Sequence, residues 1–377
     1  MDYHYHHRHL CNRSSYILRD GQKKMILFTT ISDFLLYAVM SFLAGVLVLQ
    51  FVPEHRKPAI NVKKSAILLA IAFIPLLSAA PAIQLISLLM NNADFTSAVW
   101  TSITEFQVGQ SFAFSIFLSF FWFGATAVNS SRYILAFWFL LSILNIGFGS
   151  HAASLDFIPG LLSHTLHFLA LTLWAGVLIL VTWWSPALTN WRSFLKWFTP
   201  FAFTMVTILL VSGFAVWLMF SKPADYAASW VLPYGQMLLL KHLSILPLLT
   251  AAFLNGFGNK AKEPSRNLLK LETYMLGLVL LFTAVMSKLA PPHNISNTFW
   301  TERMAPFLEI IIGEQYLPIT PQFVFSLNGI LLLLIGALSI GLMIMSFYRK
   351  IPVWLSFVFG IGFVISVYLG LMMNLTF

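Results

Sequence analysis

The chain has 377 residues, of which 59% are hydrophobic and 9% charged, and its mean hydropathy is +0.82. That composition excludes a soluble globular domain and predicts an all-α fold, a polytopic transmembrane helical bundle. The net charge of +9 would suggest nucleic acid in a soluble protein, but Lys and Arg here sit in short loops between apolar runs, which reads as topology and leaves no role for nucleic acid. A single cysteine, Cys11, excludes an intramolecular disulfide and any multi-thiolate metal site, so a soft metal would fall to Met and His.

Residues 1–24 are polar, include HYHHRH from His4 to His9, and lack the apolar core of a signal peptide. They read as a disordered His-rich leader, able to hold Cu(II), Ni(II) or Zn(II) loosely or equally a tag-like segment, with Met25 as an alternative start. Ten apolar segments follow, near 28–52, 65–90, 108–128, 132–149, 158–184, 194–220, 233–256, 268–289, 322–347 and 351–376. Each approaches the roughly 20 residues that cross a bilayer. Alternate loops carry Arg56, Lys57, Lys63 and Lys64, then Arg132, then Arg192 and Lys196, then Lys260, Lys262, Arg266 and Lys270, then Arg349 and Lys350. Those loops belong inside, which puts both termini outside. Residues 25–292 form the main bundle, 293–322 an extracytoplasmic loop, and 323–377 an appended transmembrane hairpin. Trp183, Trp184, Trp191 and Trp197 read as an interfacial belt on the inner side. Pro75, Pro81 and Pro247 mark kinks.

The fifth segment carries His164 and His167, three apart and therefore on one helix face. Imidazole in a bilayer core is costly unless buried against protein or bound. Helical rise places these two about 8–12 Å inside the outer surface, Met237 about 6 Å deep in the seventh segment, and Lys241 and His242 about 12–13 Å deep. His151 stands at the outer end of the fourth segment with Asn145 about two turns further in. Met286 lies near the outer end of the eighth, and His293 follows just outside. Glu272 and Asn255 lie toward the inner side. Imidazole and thioether together suit copper, and thioether selects Cu(I) over hard cations. Lys241, if charged, would oppose a bound cation. Intramembrane histidines also serve as hydrogen-bond partners of Ser, Thr or backbone, and most methionines in such a chain pack as adaptable core.

The residues GlySerHisAla at 149–152, HisThrLeuHisPheLeuAlaLeuThrLeuTrpAlaGly at 164–176, TyrGlyGlnMetLeuLeuLeuLys at 234–241 with Asn255, LeuGluThr at 271–273 and LeuAlaProPro at 289–292 occur in an order that resembles the CopD (PcoD-like) copper resistance membrane proteins. The resemblance covers roughly residues 110–292. It implies a multi-pass protein of the bacterial cytoplasmic membrane, not an enzyme, that moves copper toward the cytosol or supplies it to cuproprotein assembly, with an extracytoplasmic copper-donor protein as a partner. By position, His151, His167, Lys241 and Glu272 match the family's recurrent polar residues, and Trp174 and Gly176 its helix-packing signature. The chain departs from many relatives in lacking a fused copper-binding β-domain and in its extra helix pair.

The expected metal residues are therefore His151, His164, His167, His242, Met237, Met286 and His293, with Lys241, Glu272 and Asn145 along the polar pathway. Two other readings fit the same residues. A membrane b-type haem protein would use His axial ligands such as His167 and His242, and a copper-holding assembly factor would bind without uptake. No nucleotide-binding loop of the GxxxxGK[ST] kind is present to drive transport.

Overall fold

The computed structural model describes residues 3–258, 265–292, 294–313, 321–349 and 351–376, by backbone alone for 3–23 and for Ile312. In chain order the helices are α1 (Tyr3–Phe51), α2 (Lys64–Leu89), α3 (Phe95–Glu105), α4 (Gln107–Ala127), α5 (Arg132–Phe148), α6 (His151–Leu155), α7 (Phe157–Trp183), α8 (Trp191–Phe220), α9 (Pro233–Phe253), α10 (Arg266–Met286), α11 (Ile295–Glu302), α12 (Pro306–Ile312), α13 (Leu327–Tyr348) and α14 (Val353–Met372). Two short strands, β1 (Gln322–Phe323) and β2 (Leu375–Thr376), pair antiparallel at the far end of the last hairpin.

Among the described residues nine helices are long and apolar enough to cross a membrane: α1 from Lys24, α2, α4, α7, α8, α9 continued to Phe257, α10, α13 and α14. The expected tenth, α5, has 17 residues. By helical rise it is about 25 Å long, a few ångströms short of the hydrocarbon thickness. The expectation of about ten spans is met by these nine and the shorter α5, which packs beside α4 and α7.

Helix starts follow side-chain chemistry. Ser131, Ser150, Ser265 and Ser326 each accept a backbone N–H from the first turn of α5, α6, α10 and α13, the ordinary way of satisfying the free donors at a helix start. Pro233 opens α9 at a position where a missing N–H does no harm. Pro75 and Pro81 lie inside α2 and Pro247 inside α9. The last is followed by a π turn at Leu254–Gly258.

The bundle is organised around α7. In its most apolar 18 residues 67% are buried, against 11% for α8, and it touches α1, α5, α6, α8 and α10. A close approach joins α1 and α7 at Gly45 and Gly176, where a Cβ on either residue would overlap the other's backbone. Small residues at such crossings let helix backbones approach within lipid, where van der Waals packing replaces the hydrophobic drive. A second cluster joins α9 and α14 to Phe299, Met304 and Leu308 of the loop helices, and Ala305 N–H donates to Val231 O at 2.8 Å.

Several expectations change. The backbone of residues 3–24, expected as a disordered leader, continues α1 back to Tyr3; the side chains of His4–His9 and Cys11 lie outside the described set. The loop after α2 contains α3, whose start is fixed by the Asp94 carboxylate accepting from Ser97 N at 3.1 Å and Ser97 Oγ at 2.6 Å. Those two bonds, the hydroxyl first, hold the Asp94 carboxyl below its ordinary value. Trp191 is 4% exposed and stacks on Phe194 at 5.3 Å, so it is core and not part of an interfacial belt.

Candidate functional site

His164 and His167 project from the half of α7 nearer His151, and their surroundings assign their ring nitrogens different tasks. His167 Nδ1 lies 3.0 Å from Leu209 O and 3.3 Å from Ser212 Oγ, both on α8. A backbone carbonyl can only accept, so Nδ1 carries the hydrogen and the neutral ring presents its Nε2 lone pair. Gly213 makes room for this ring, since a Cβ there would sit 2.8 Å from His167 Cε1. His164 Nδ1 is buried and has no hydrogen-bond partner. His164 lies within electrostatic range of His151 and Lys241, and His167 within range of Lys241 and His164.

Toward the outer end by the expected topology, the same polar chain continues through residues that sequence reasoning passed over. Lys288, just beyond α10, pairs with Asp33 of α1 at 2.6 Å, with side chains 11% and 13% exposed. Ser287 Oγ also donates to Asp33 at 3.0 Å, and Asp33 acts electrostatically on Tyr37 one turn further along α1. His151 feels both members of the ion pair. Desolvation pushes its imidazole below the ordinary value, the Lys288 ammonium acts in the same direction, and the Asp33 carboxylate opposes them. The signal was present in the sequence: Asp33 is a lone acid within the first apolar run, where an ionisable group marks function by default.

The remaining expected residues separate into three groups. Lys241, on α9, is half-buried and electrostatically linked to His164, His167 and His242, so it belongs to the polar chain. His242, its neighbour, is exposed and meets Tyr226 OH through Nδ1 at 2.7 Å. Burial pushes the Tyr226 phenol up to about 12, which keeps it protonated. That contact engages His242 Nδ1 and leaves Nε2 as the ring nitrogen without a named partner. Electrostatic range thus links His151, His164, His167 and Lys241, and links Lys241 in turn to His242, which also meets Tyr226. Met237 on α9 and Met286 at the end of α10 are half-buried; Met219, on α8, places its sulfur 3.9 Å from Ser163 Oγ, beside His164 in sequence. His293 lies outside the described residues.

Asn145 and Glu272 serve packing between helices. Asn145 Nδ2 donates to Ser111 O at 2.9 Å while Ser111 Oγ donates to Asn145 O at 3.0 Å, a reciprocal clamp between α5 and α4. Glu272, 3% exposed, accepts from Asn255 Nδ2 at 2.9 Å. Beside it Trp183 Nε1 donates to Thr273 Oγ1 at 3.2 Å, and the Lys270 ammonium lies 5.4 Å from the Trp183 ring centre.

Among the described residues no group of three or more His, Cys, Asp or Glu side chains is gathered closely enough to hold one ion. The arrangement can therefore offer an ion one or two imidazoles at a time, supplemented by thioether, along a line from His151 to His167. Neutral ligands of this kind suit a soft, singly charged ion.

Apolar helices in this number, with polar groups turned inward at α7, make the chain a multi-pass α-helical membrane protein. No protein-family model, curated protein or solved structure matches it.

Proposed function

We propose that the chain transports copper across the bacterial cytoplasmic membrane, from the His151 end of the bundle toward the cytosol. The observation that carries this reading is the buried, unpartnered Nδ1 of His164, set between His151 and His167 within electrostatic range of both. A buried imidazole nitrogen without a partner is costly in lipid, and a metal ion relieves that cost. The His167 contact with Leu209 O supports the same reading, because ligating histidines ordinarily donate their second ring N–H to a carbonyl or carboxylate. Copper is the cargo, captured at His151 from an extracytoplasmic donor protein, passed to His164 and released beyond His167. Lys241 limits the charge the passage tolerates and favours a monovalent ion that moves on. The resemblance of the quoted segments to copper resistance membrane proteins points the same way.

The test is copper uptake into proteoliposomes, combined with metal content and a visible spectrum of the purified protein. His164→Ala and His167→Ala each lower uptake on the order of tenfold or more, the range of lost ligands and their orienting partners. Unchanged uptake and copper content in both α7 variants would sink the reading. A strong haem absorbance lost with His167→Ala would replace it with the cytochrome alternative, and binding without uptake with the assembly factor.

A further inference from the structure

At the opposite end of the bundle from His151, a cleft of about 260 Å³ opens where α1, α2, α4 and α5 meet, lined among others by Gln50, Lys64, Thr126, Asn129 and Ser130. We infer that this cleft binds a phosphate group, carried by a phospholipid or free in solution.

Three independent features converge on it. Thr126 is 7% exposed, and its Oγ1 has no hydrogen-bond partner. A helical Thr ordinarily satisfies that hydroxyl on its own preceding turn, as Thr104 and Thr207 do here, so Thr126 holds an unused donor in the wall of the cleft. The first turn of α2 also faces it through Lys64 and Ile67, and no side chain caps that helix start. The positive end of a 26-residue helix therefore lies at the cleft, an arrangement that favours anions. Finally, Lys64 gives one N–H to Ala127 O at 2.7 Å and keeps two more, and no carboxylate lines the cleft. Three kinds of donor about one small space match the several oxygens of a phosphate better than a single carboxylate. Basic loops at this end also agree with a leaflet rich in anionic lipid. The inference is independent of the metal reading, since none of its residues touches the polar chain on α7.

The test measures binding to the purified full-length chain by native mass spectrometry and thermal shift. The probes are dioctanoyl phosphatidylglycerol, inorganic phosphate, and dioctanoylglycerol, which has the same acyl chains without phosphate. Lys64→Gln and Thr126→Val, the latter close to isosteric, each weaken the phosphate-bearing probe on the order of tenfold, about 1.4 kcal/mol, and Lys64→Arg restores most of the loss. Variant-sensitive binding confined to the lipid identifies a headgroup site. Equal sensitivity with inorganic phosphate identifies a site for the free ion. If dioctanoylglycerol binds as well as the phospholipid, or neither phosphate probe responds to the variants, the inference is overturned.

Discussion

The two ends of this bundle use similar side chains for opposite purposes. At the basic end, Lys57 donates to Leu49 O, Arg132 to Gln50 O, Lys64 to Ala127 O and Arg266 to Thr182 O, each at 2.7–3.0 Å. Every one of those carbonyls lies in the last turn of a helix, α1, α4 or α7, so the cations close helices and complement their negative ends. At the His151 end, Lys288 meets a carboxylate from another helix and Lys241 lies within electrostatic range of imidazoles. Charge there is directed inward at other polar side chains. Four of the residues that sequence rules assign to topology thus cap helices, and the few that break those rules form the interior polar chain.

Substitutions at the ion pair should separate the ends most sharply. Asp33→Asn leaves the Lys288 ammonium without its partner in a largely buried place, at an expected cost of about 3–5 kcal/mol. Thermal unfolding in detergent measures it, and Asp33→Asn combined with Lys288→Met should recover much of the loss, because both charges are then gone. At the other end Arg266→Ala removes one charged hydrogen bond from an accessible helix terminus and should cost nearer 1 kcal/mol. Equal losses at the two ends would erase the distinction.

A smaller effect sharpens the role of Lys241. Its ammonium acts on His164 and His167 but has no function in capping a helix, so replacing it by Met should strengthen copper retention on the order of tenfold, the result of removing about 1.4 kcal/mol of charge repulsion. Equilibrium copper binding by competition with a chelator reads this directly. Weaker retention in Lys241→Met would mean that the residue helps to hold an anion and that the line from His151 to His167 carries something other than a cation.

How much of this was legible beforehand follows from which interactions are local. Spans and loops were readable because hydrophobic length and Lys/Arg placement act within one segment, and α7 stood out because His164 and His167 interrupt an apolar run. The Asp33–Lys288 pair was not, since it joins residues whose helices meet only through packing of α1 against α10. Depth along a helix also says nothing about azimuth: Lys241 and His242 share a level, yet adjacent positions on a helix point about 100° apart, so His242 meets Tyr226 while Lys241 takes another direction. The same limit hid Trp191, where position near a boundary suggested an interface and packing against Phe194 made it core. Residues 95–105 read as loop because α3 is shorter and more polar than a span.

The smallest expected effect concerns protons at His151, and it tests whether this end is a mouth for a cation or a surface feature. Burial and Lys288 hold its imidazole below the ordinary value of 6.5 in the folded chain. The unfolded chain therefore binds more protons between that lowered value and 6.5, so stability falls as pH drops through this window and is level above it. Because the His151 side chain is exposed, solvent screening keeps this loss small. His151→Gln should abolish the slope that His151 contributes while leaving stability at pH 8 nearly unchanged, as measured by the difference between the two unfolding curves. The same depression lets a neutral His151 nitrogen meet a metal in mildly acidic surroundings, so wild-type uptake should persist below pH 6.5 where an imidazole at the ordinary value would already be mostly protonated. An uptake curve that instead falls with a midpoint at the ordinary imidazole value would show that capture occurs on a residue outside this desolvated mouth.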